Sequence, residues 1–365
     1  MSRYLLVFIL LASLFSDSIS LSLSSDLDWD DNKIIDRNLN DSEVAFPVKN
    51  FILNIDINES IDISAHVSSK TILDNDSGLY SIEGLEGMDV DARVDGMFQN
   101  HQKHYIETAD GDVIVCFISE PMFMRGVRLL QISVLPFQYK YESAEYLLYN
   151  NIDINIDIIQ NDLNSDERYI PLSYEFDIMI GSLVDNYESR IRDLNTPSCI
   201  LFICGGNSLN ETSMQNLIDW RRQMGYEVHA VDTGDIGTTT TSIKNYIQNA
   251  YDNWSNPPEY VVLVGDTDGS YSIPYFSTTW GASDYDYTLL EGNDFFPEMF
   301  IGRISANGSS DLDNIINKTL VYEKATYLAF TGQDWYERAA LNADPSSSGN
   351  STIITNEYIE EILEL

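Results

Sequence analysis

The apolar period of this 365-residue chain changes once, near residue 198, and that change limits the fold more than any other feature. Before it, apolar residues recur at every second position in short runs. After it, unbroken apolar runs alternate with stretches spaced i, i+3, i+4. The first pattern is that of strands with one wet and one packed face. The second is that of buried strands separated by amphipathic helices, which implies a mostly parallel sheet. The chain is long enough to bury two cores.

In the first half, strand-like runs cover 51–57, 61–65, 113–118, 127–134 and 152–158. The last alternates Ile with Asp or Asn without a break. No helix is expected there, so residues 46–160 read as an antiparallel β domain. Residues 161–197 are rich in Asn, Asp and Glu and end in Asn195-Thr196-Pro197, a linker pattern that contains Arg168, Arg190 and Arg192. From 198 to 365 the order is strand (Cys199 to Cys204), helix (through Met214, Leu217 and Ile218), strand (Val228 to Val231) and helix (through Ile243, Tyr246, Ile247 and Ala250). The run Tyr260 to Val264 follows and ends at Gly265-Asp266, then a short strand reaches Arg303. Ser310 to Asp313 reads as a capping box before a stripe of Leu312, Ile315, Ile316 and Leu320. Residues 338–343 read as another strand, and a helix opening at Thr355 holds the last residues. A sheet of this kind, ended inside a helix, is expected to be incomplete.

A formal charge of −38, from 58 acidic against 20 basic side chains, excludes a nucleic-acid partner and an anionic membrane surface, both of which need basic patches. The N-terminus has one arginine, a dozen apolar residues and a small-x-small tail. Residues 1–20 therefore read as a signal peptide and 21–45 as an acidic leader, so the protein is expected to be exported. The apolar run is too short for a stable membrane span. The three cysteines, Cys116, Cys199 and Cys204, form no disulfide framework. Cys199 and Cys204 would lie about 16 Å apart on opposite faces of one strand, and small buried side chains are the reading for both.

Four groups of residues could carry chemistry. Gly205-Gly206 follows a strand but lacks the spacing of a dinucleotide loop, and a tight turn explains it. Asp266-Thr267-Asp268-Gly269 at a strand end is similar to the nucleophile motif of haloacid-dehalogenase-like phosphatases, which would make Asp266 the attacking group. His101 and His104 sit in a polar stretch and read as loop residues, and His229 as a structural one. Asp294 and Glu298, with Asp266 at a neighbouring strand end, put several carboxylates in one region, and a hard cation such as calcium is their natural companion.

Residues 199–343 resemble the front half of the catalytic domain of gingipain-type cysteine peptidases. The likeness is carried by 217–228 (LIDWRRQMGYEV), 247–251, 260–266 (YVVLVGD), 283–287 (SDYDY), 291–294 (EGND), 300–304 (FIGRI) and 318–324. Residues 124–139 resemble the β-rich propeptide of the same family. The resemblance implies a caspase-like α/β fold behind an antiparallel β propeptide that packs on it. It implies a secreted zymogen and a cysteine-type endopeptidase acting on protein or peptide substrates. It implies structural Ca2+ held by Asp266, the main-chain oxygen of Glu291, Asp294, the main-chain oxygen of Phe296, and Glu298. It places Asp344 as the acid that supports the catalytic histidine, a strand-end turn before Pro345 being the plain alternative. The family's Gly-His-Gly loop and strand-end cysteine are not found in the sequence, so the expectation is a precursor truncated before its nucleophile and base, and inactive as this chain. Two other readings stand beside it: a non-enzymatic, calcium-stabilised secreted module of the same fold, and the phosphatase using Asp266.

Overall fold

The computed structural model describes residues 17–23, 33–36, 44–56, 59–73, 95, 98–109, 111–140, 145–160, 170, 172–189, 196–279 and 281–326. Among the described residues, eleven strands precede residue 161: β1 (Asp17–Leu23), β2 (Lys33–Asp36), β3 (Val44–Pro47), β4 (Lys49–Asn54), β5 (Glu59–Leu73), β6 (His101–Glu107), β7 (Val113–Ser119), β8 (Met122–Met124), β9 (Val127–Leu135), β10 (Phe137–Lys140) and β11 (Glu145–Gln160). All their pairings are antiparallel. One sheet runs β4-β9-β7-β6, with β8 against β9; the other runs β1-β11-β10, with β5 also on β11. Their apolar faces meet in a single core. Leu53, Ile114, Ile132 and Val134 come from the first sheet and Ile152, Ile154 and Ile156 from the second. The alternation of Ile with Asp and Asn in β11 is what gives that strand one packed face and one wet one.

The structure extends this reading in three places. Strands β1 and β2 and the start of β3 lie within the stretches read as signal and leader. Strand β6 lies where loop histidines were expected. The linker contains helix α1 (Tyr174–Leu183), capped by the Ser173 side chain, which accepts from the Phe176 amide. Its apolar residues Phe176, Ile180 and Val184 have i, i+4 spacing and pack on Met122, Met124, Val127 and Leu129.

Four parallel strands follow: β12 (Cys199–Cys204), β13 (Glu227–Asp232), β14 (Tyr260–Val264) and, after the small hairpin β15 (Phe276–Thr278) and β16 (Gly281–Ser283), β17 (Phe300–Ile304). Their order is β13-β12-β14-β17. The helices are α2 (Thr212–Gln223), α3 (Thr233–Ile236), α4 (Thr240–Asn253) and α5 (Ser309–Glu323). Helices α2 and α5 cover one face through Met214, Leu217, Ile218, Leu312 and Ile316. Helix α4 covers the other through Ile243, Ile247, Ala250 and Tyr251. This is the mostly parallel α/β sheet that the second apolar period implies. The capping box is a correction: α5 starts at Ser309 from an N-cap Gly308 with no side-chain cap, so Ser310 already lies inside the first turn. The described residues contain no helix long and apolar enough to cross a membrane.

Candidate functional site

The parallel sheet has two edges, and chemistry-bearing residues collect at both. At the carboxyl edge β14 runs into Gly265 and Asp266. The loop that follows folds back tightly, with the Ile273 amide donating to the Asp266 main-chain oxygen at 2.7 Å. Gly265 has φ +149°, and a Cβ placed there would lie 1.7 Å from the Tyr271 carbonyl oxygen, so only glycine fits. Arg303, in β17, holds this loop in place. Its Nε and Nη2 donate to the two oxygens of Asp284 at 2.8 and 2.6 Å, and its Nη1 donates to the main-chain oxygens of Gly265 and Ile273, each at 3.0 Å. Such a fork-on-carboxylate contact is among the stronger polar contacts available to a protein. The Asp266 carboxylate accepts from the Thr267 amide at 2.7 Å, and this bond together with the Ser305 side chain holds its pKa below the usual carboxylate range.

At the amino edge the loop before β17 carries Glu291, Asp294 and Glu298. Glu298 is fully buried. Its Oε2 accepts from the Leu290 amide at 2.6 Å, while Oε1 has no hydrogen-bond partner. Burial, followed by the nearby charges of Glu291 and Asp294, pushes its pKa up to about 8. Gly292 (φ +70°) lets the loop turn, because a Cβ there would meet Asp294 Oδ2 at 2.5 Å.

Into this acidic loop the β sandwich inserts the tip of the β8–β9 hairpin. Met124 pairs with Val127, leaving Arg125 and Gly126 as a two-residue turn. Both have positive φ, 48° and 73°, as a type I′ turn requires. A non-glycine residue held there is uncommon and costs free energy that its contacts must offset. Arg125 is fully buried. Its Nη1 donates to the main-chain oxygens of Pro258 at 2.8 Å and Glu298 at 2.9 Å, and its Nη2 to that of Pro257 at 3.2 Å. Its guanidinium lies over the Phe176 ring of α1, 5.3 Å from the centroid. The Phe123 amide donates to Asp294 Oδ2 at 2.8 Å and the Gly126 amide to Glu291 Oε2 at 3.0 Å. The Ser173 amide donates to Glu259 Oε1 at 3.0 Å. Sequence reasoning passed over Arg125. The signal available was an Arg-Gly pair between two apolar runs, the composition of a tight hairpin.

The expected single cluster is therefore split. Glu291, Asp294 and Glu298 lie on one loop, and the Phe296 amide donates to Asp294 Oδ1 at 2.8 Å while its ring packs near α1. Asp266 is not with them. The parallel register pairs Tyr260 with Phe300 and Val264 with Ile304. Glu298 thus precedes the paired segment and Asp266 follows it, a separation of about 25 Å at a strand's rise per residue. Residues that follow one parallel strand and precede its neighbour lie at opposite edges, which spacing along the chain does not reveal. Among the described residues, the trio of side-chain donors that lie within 4.8 Å of one another is Cys199, Glu227 and His229. Asp344, Arg168, Arg190 and Arg192, the strand read at 338–343 and the helix at Thr355 lie outside the described residues. His101 and His104 are in β6, where an odd spacing puts them on opposite faces. All three cysteines are buried and none is in a disulfide. Burial pushes the Cys116 and Cys204 thiols up to about 12, far from a reactive thiolate.

The family model for peptidase family C25 matches residues 194–364. That match covers just under half of the chain. The C25 segment thus begins just before β12 and includes both edges of the sheet. Among curated proteins, Lys-gingipain of Porphyromonas gingivalis is 32% identical over 239 residues, which is 63% of this chain and 14% of that protein. Gingipain R2 of the same organism is 25% identical over 314 residues, 81% of this chain and 41% of that protein. The second alignment is longer than the C25 segment, so the likeness reaches into the β sandwich. The chain spans less than half the length of either relative. The solved complex of the Porphyromonas gingivalis RgpB pro- and mature domains is 29% identical, covers 33% of this chain and 28% of that chain, and superimposes with a TM-score of 0.31. The gingipain-type assignment rests on sequence. It favours the cysteine-peptidase reading over the phosphatase and non-enzymatic ones.

Proposed function

We propose that this chain is the propeptide and leading catalytic portion of an exported gingipain-like cysteine endopeptidase precursor, with the β sandwich docked on the C25 segment as its propeptide. The observation that carries this is the buried Arg125 hairpin. A turn held at positive φ, with the strand residue before it, donates hydrogen bonds to residues 257–298 of the C25 segment. A β domain with no partner would have no reason to bury an arginine against foreign main-chain oxygens. The reaction proposed for the whole protein is peptide-bond hydrolysis by a cysteine and a histidine, as the family likeness implies. Cys116, Cys199 and Cys204 are not offered as that nucleophile, since none has exposed surface.

Calcium is the proposed companion of the Asp294 and Glu298 side chains and the main-chain oxygens of Glu291 and Phe296. The support is the buried, unpartnered Oε1 of Glu298 among like charges. Asp266 is too far away to share that ion. Because the Phe123 amide already occupies an oxygen of Asp294, ion binding and hairpin docking would compete for that carboxylate. The test of docking is to cut purified protein within 161–169 or 190–195 and run size-exclusion chromatography. Wild-type halves should co-elute, and Arg125→Glu halves should separate. Wild-type halves that separate at once would sink the docked-propeptide reading.

A further inference from the structure

We propose that Cys199, Glu227 and His229 form a binding site for a borderline transition-metal dication of the zinc class. Strands β12 and β13 run parallel with Cys199 directly opposite Glu227. His229 is two residues along β13, so its side chain shares Glu227's face. All three donor atoms lie within 4.8 Å of one another, close enough for one ion to draw them into a single coordination shell. His229 Nε2 and Glu227 Oε1 are 2.8 Å apart. The other Glu227 oxygen, Oε2, accepts from Asn256 Nδ2 at 2.7 Å, and the same Nδ2 donates to the Pro197 main-chain oxygen at 3.0 Å. Such an outer contact orients a ligating carboxylate and leaves Oε1 for the ion. The His229 ring packs 4.4 Å from the Trp254 ring, which fixes its plane.

The donor set selects the metal. One sulfur, one imidazole nitrogen and one carboxylate oxygen suit zinc, cobalt or nickel rather than calcium or magnesium, which take oxygen. Three protein donors leave a fourth position. It faces solvent, because the His229 and Glu227 side chains are 42% and 40% exposed while Cys199 is buried. On binding, Cys199 forms a sulfur–metal bond and its thiol proton passes to the buffer, while His229 and Glu227 give up their mutual contact to the ion. A cysteine–histidine nucleophile is the other chemistry such a trio could serve. Cys199 has no exposed surface, so a substrate carbonyl cannot reach its sulfur.

The experiment is titration of the purified full chain, stripped with chelator, with cobalt(II) in the presence of excess calcium. One equivalent should give a thiolate-to-cobalt charge-transfer band in the near ultraviolet and tetrahedral bands in the visible, both displaced by zinc. Cys199→Ala should abolish the near-ultraviolet band, and His229→Gln, at a partly exposed position that leaves the core intact, should weaken cobalt binding tenfold or more. Absence of the band in wild type, a band that survives Cys199→Ala, or equal affinity in His229→Gln would each overturn the site.

Discussion

Arg125 Nη1 donates to the main-chain oxygen of Glu298 at 2.9 Å, across 173 residues of chain. The contact links the tip of a β hairpin to the amino edge of a parallel sheet in a different core. Arg125→Ala would leave main-chain oxygens of Pro257, Pro258 and Glu298 buried without that donor. Charge-assisted contacts of this kind are worth about 1.5–3 kcal/mol each where measured singly, and their sum is less than additive. Urea unfolding of Arg125→Ala should show a loss of about 3 kcal/mol, with the two cores unfolding separately. Arg125→Lys should recover only part, because one ammonium cannot reproduce the fork. A midpoint equal to wild type would show that the contact does not hold the halves together.

Glu298 gives a pH signature with a definite sign. Its folded pKa is raised to about 8 by burial and by Glu291 and Asp294. The unfolded chain releases this proton near pH 4.5, while the folded chain keeps it, so between these values the folded state binds more protons. Stability in chelator should therefore fall as pH rises from about 4.5 to about 8. Glu298→Gln should flatten that fall in a melting series. A slope unchanged by the substitution would place the titration elsewhere.

Calcium should raise the melting temperature of wild-type protein relative to chelator, and Asp294→Asn should shrink the rise. Asp266→Asn should leave it intact, because Asp266 lies at the other edge of the sheet. If Asp266→Asn removes the calcium effect and Asp294→Asn does not, the amino-edge placement of the ion is wrong.

The Arg303–Asp284 fork ties β17 to the loop after β14. Both Arg303→Lys and Asp284→Asn should destabilise by about 1–3 kcal/mol, since each leaves the partner half-buried with fewer contacts. The double variant should cost less than the two singles summed, which a thermodynamic cycle on urea midpoints reads directly. Strict additivity would mean the pair is not coupled.

The two apolar periods were enough to read an antiparallel β unit followed by a parallel α/β sheet, because burial of one face or two imposes a period that local residues carry. Leu312, Ile316 and Leu320 were legible in this way, and so were Met214, Leu217 and Ile218. The missed elements were those whose reason lies elsewhere in the chain. Strand β6 contains His101, Lys103 and His104, polar residues tolerated because one of its faces is wet. Helix α1 is apolar at Phe176, Ile178, Met179, Ile180 and Leu183, and which of these are buried is decided only by the hairpin that Phe176 and Ile180 cover. The N-cap of α5 is Gly308, for which no side-chain signal exists.

For the site, sequence alone determined which residues have donor chemistry: Asp266, Glu291, Asp294 and Glu298, and equally Cys199, Glu227 and His229. It determined the family likeness too, since motif order is a property of the chain. Only the tertiary structure decided who meets whom. Parallel register sends Asp266 and Glu298 to opposite edges and brings Cys199 beside Glu227, and the hairpin turn delivers Arg125 to the Glu298 carbonyl. Donor type is local to a residue, whereas separation in space depends on strand direction and register, which are set by packing across the whole sheet.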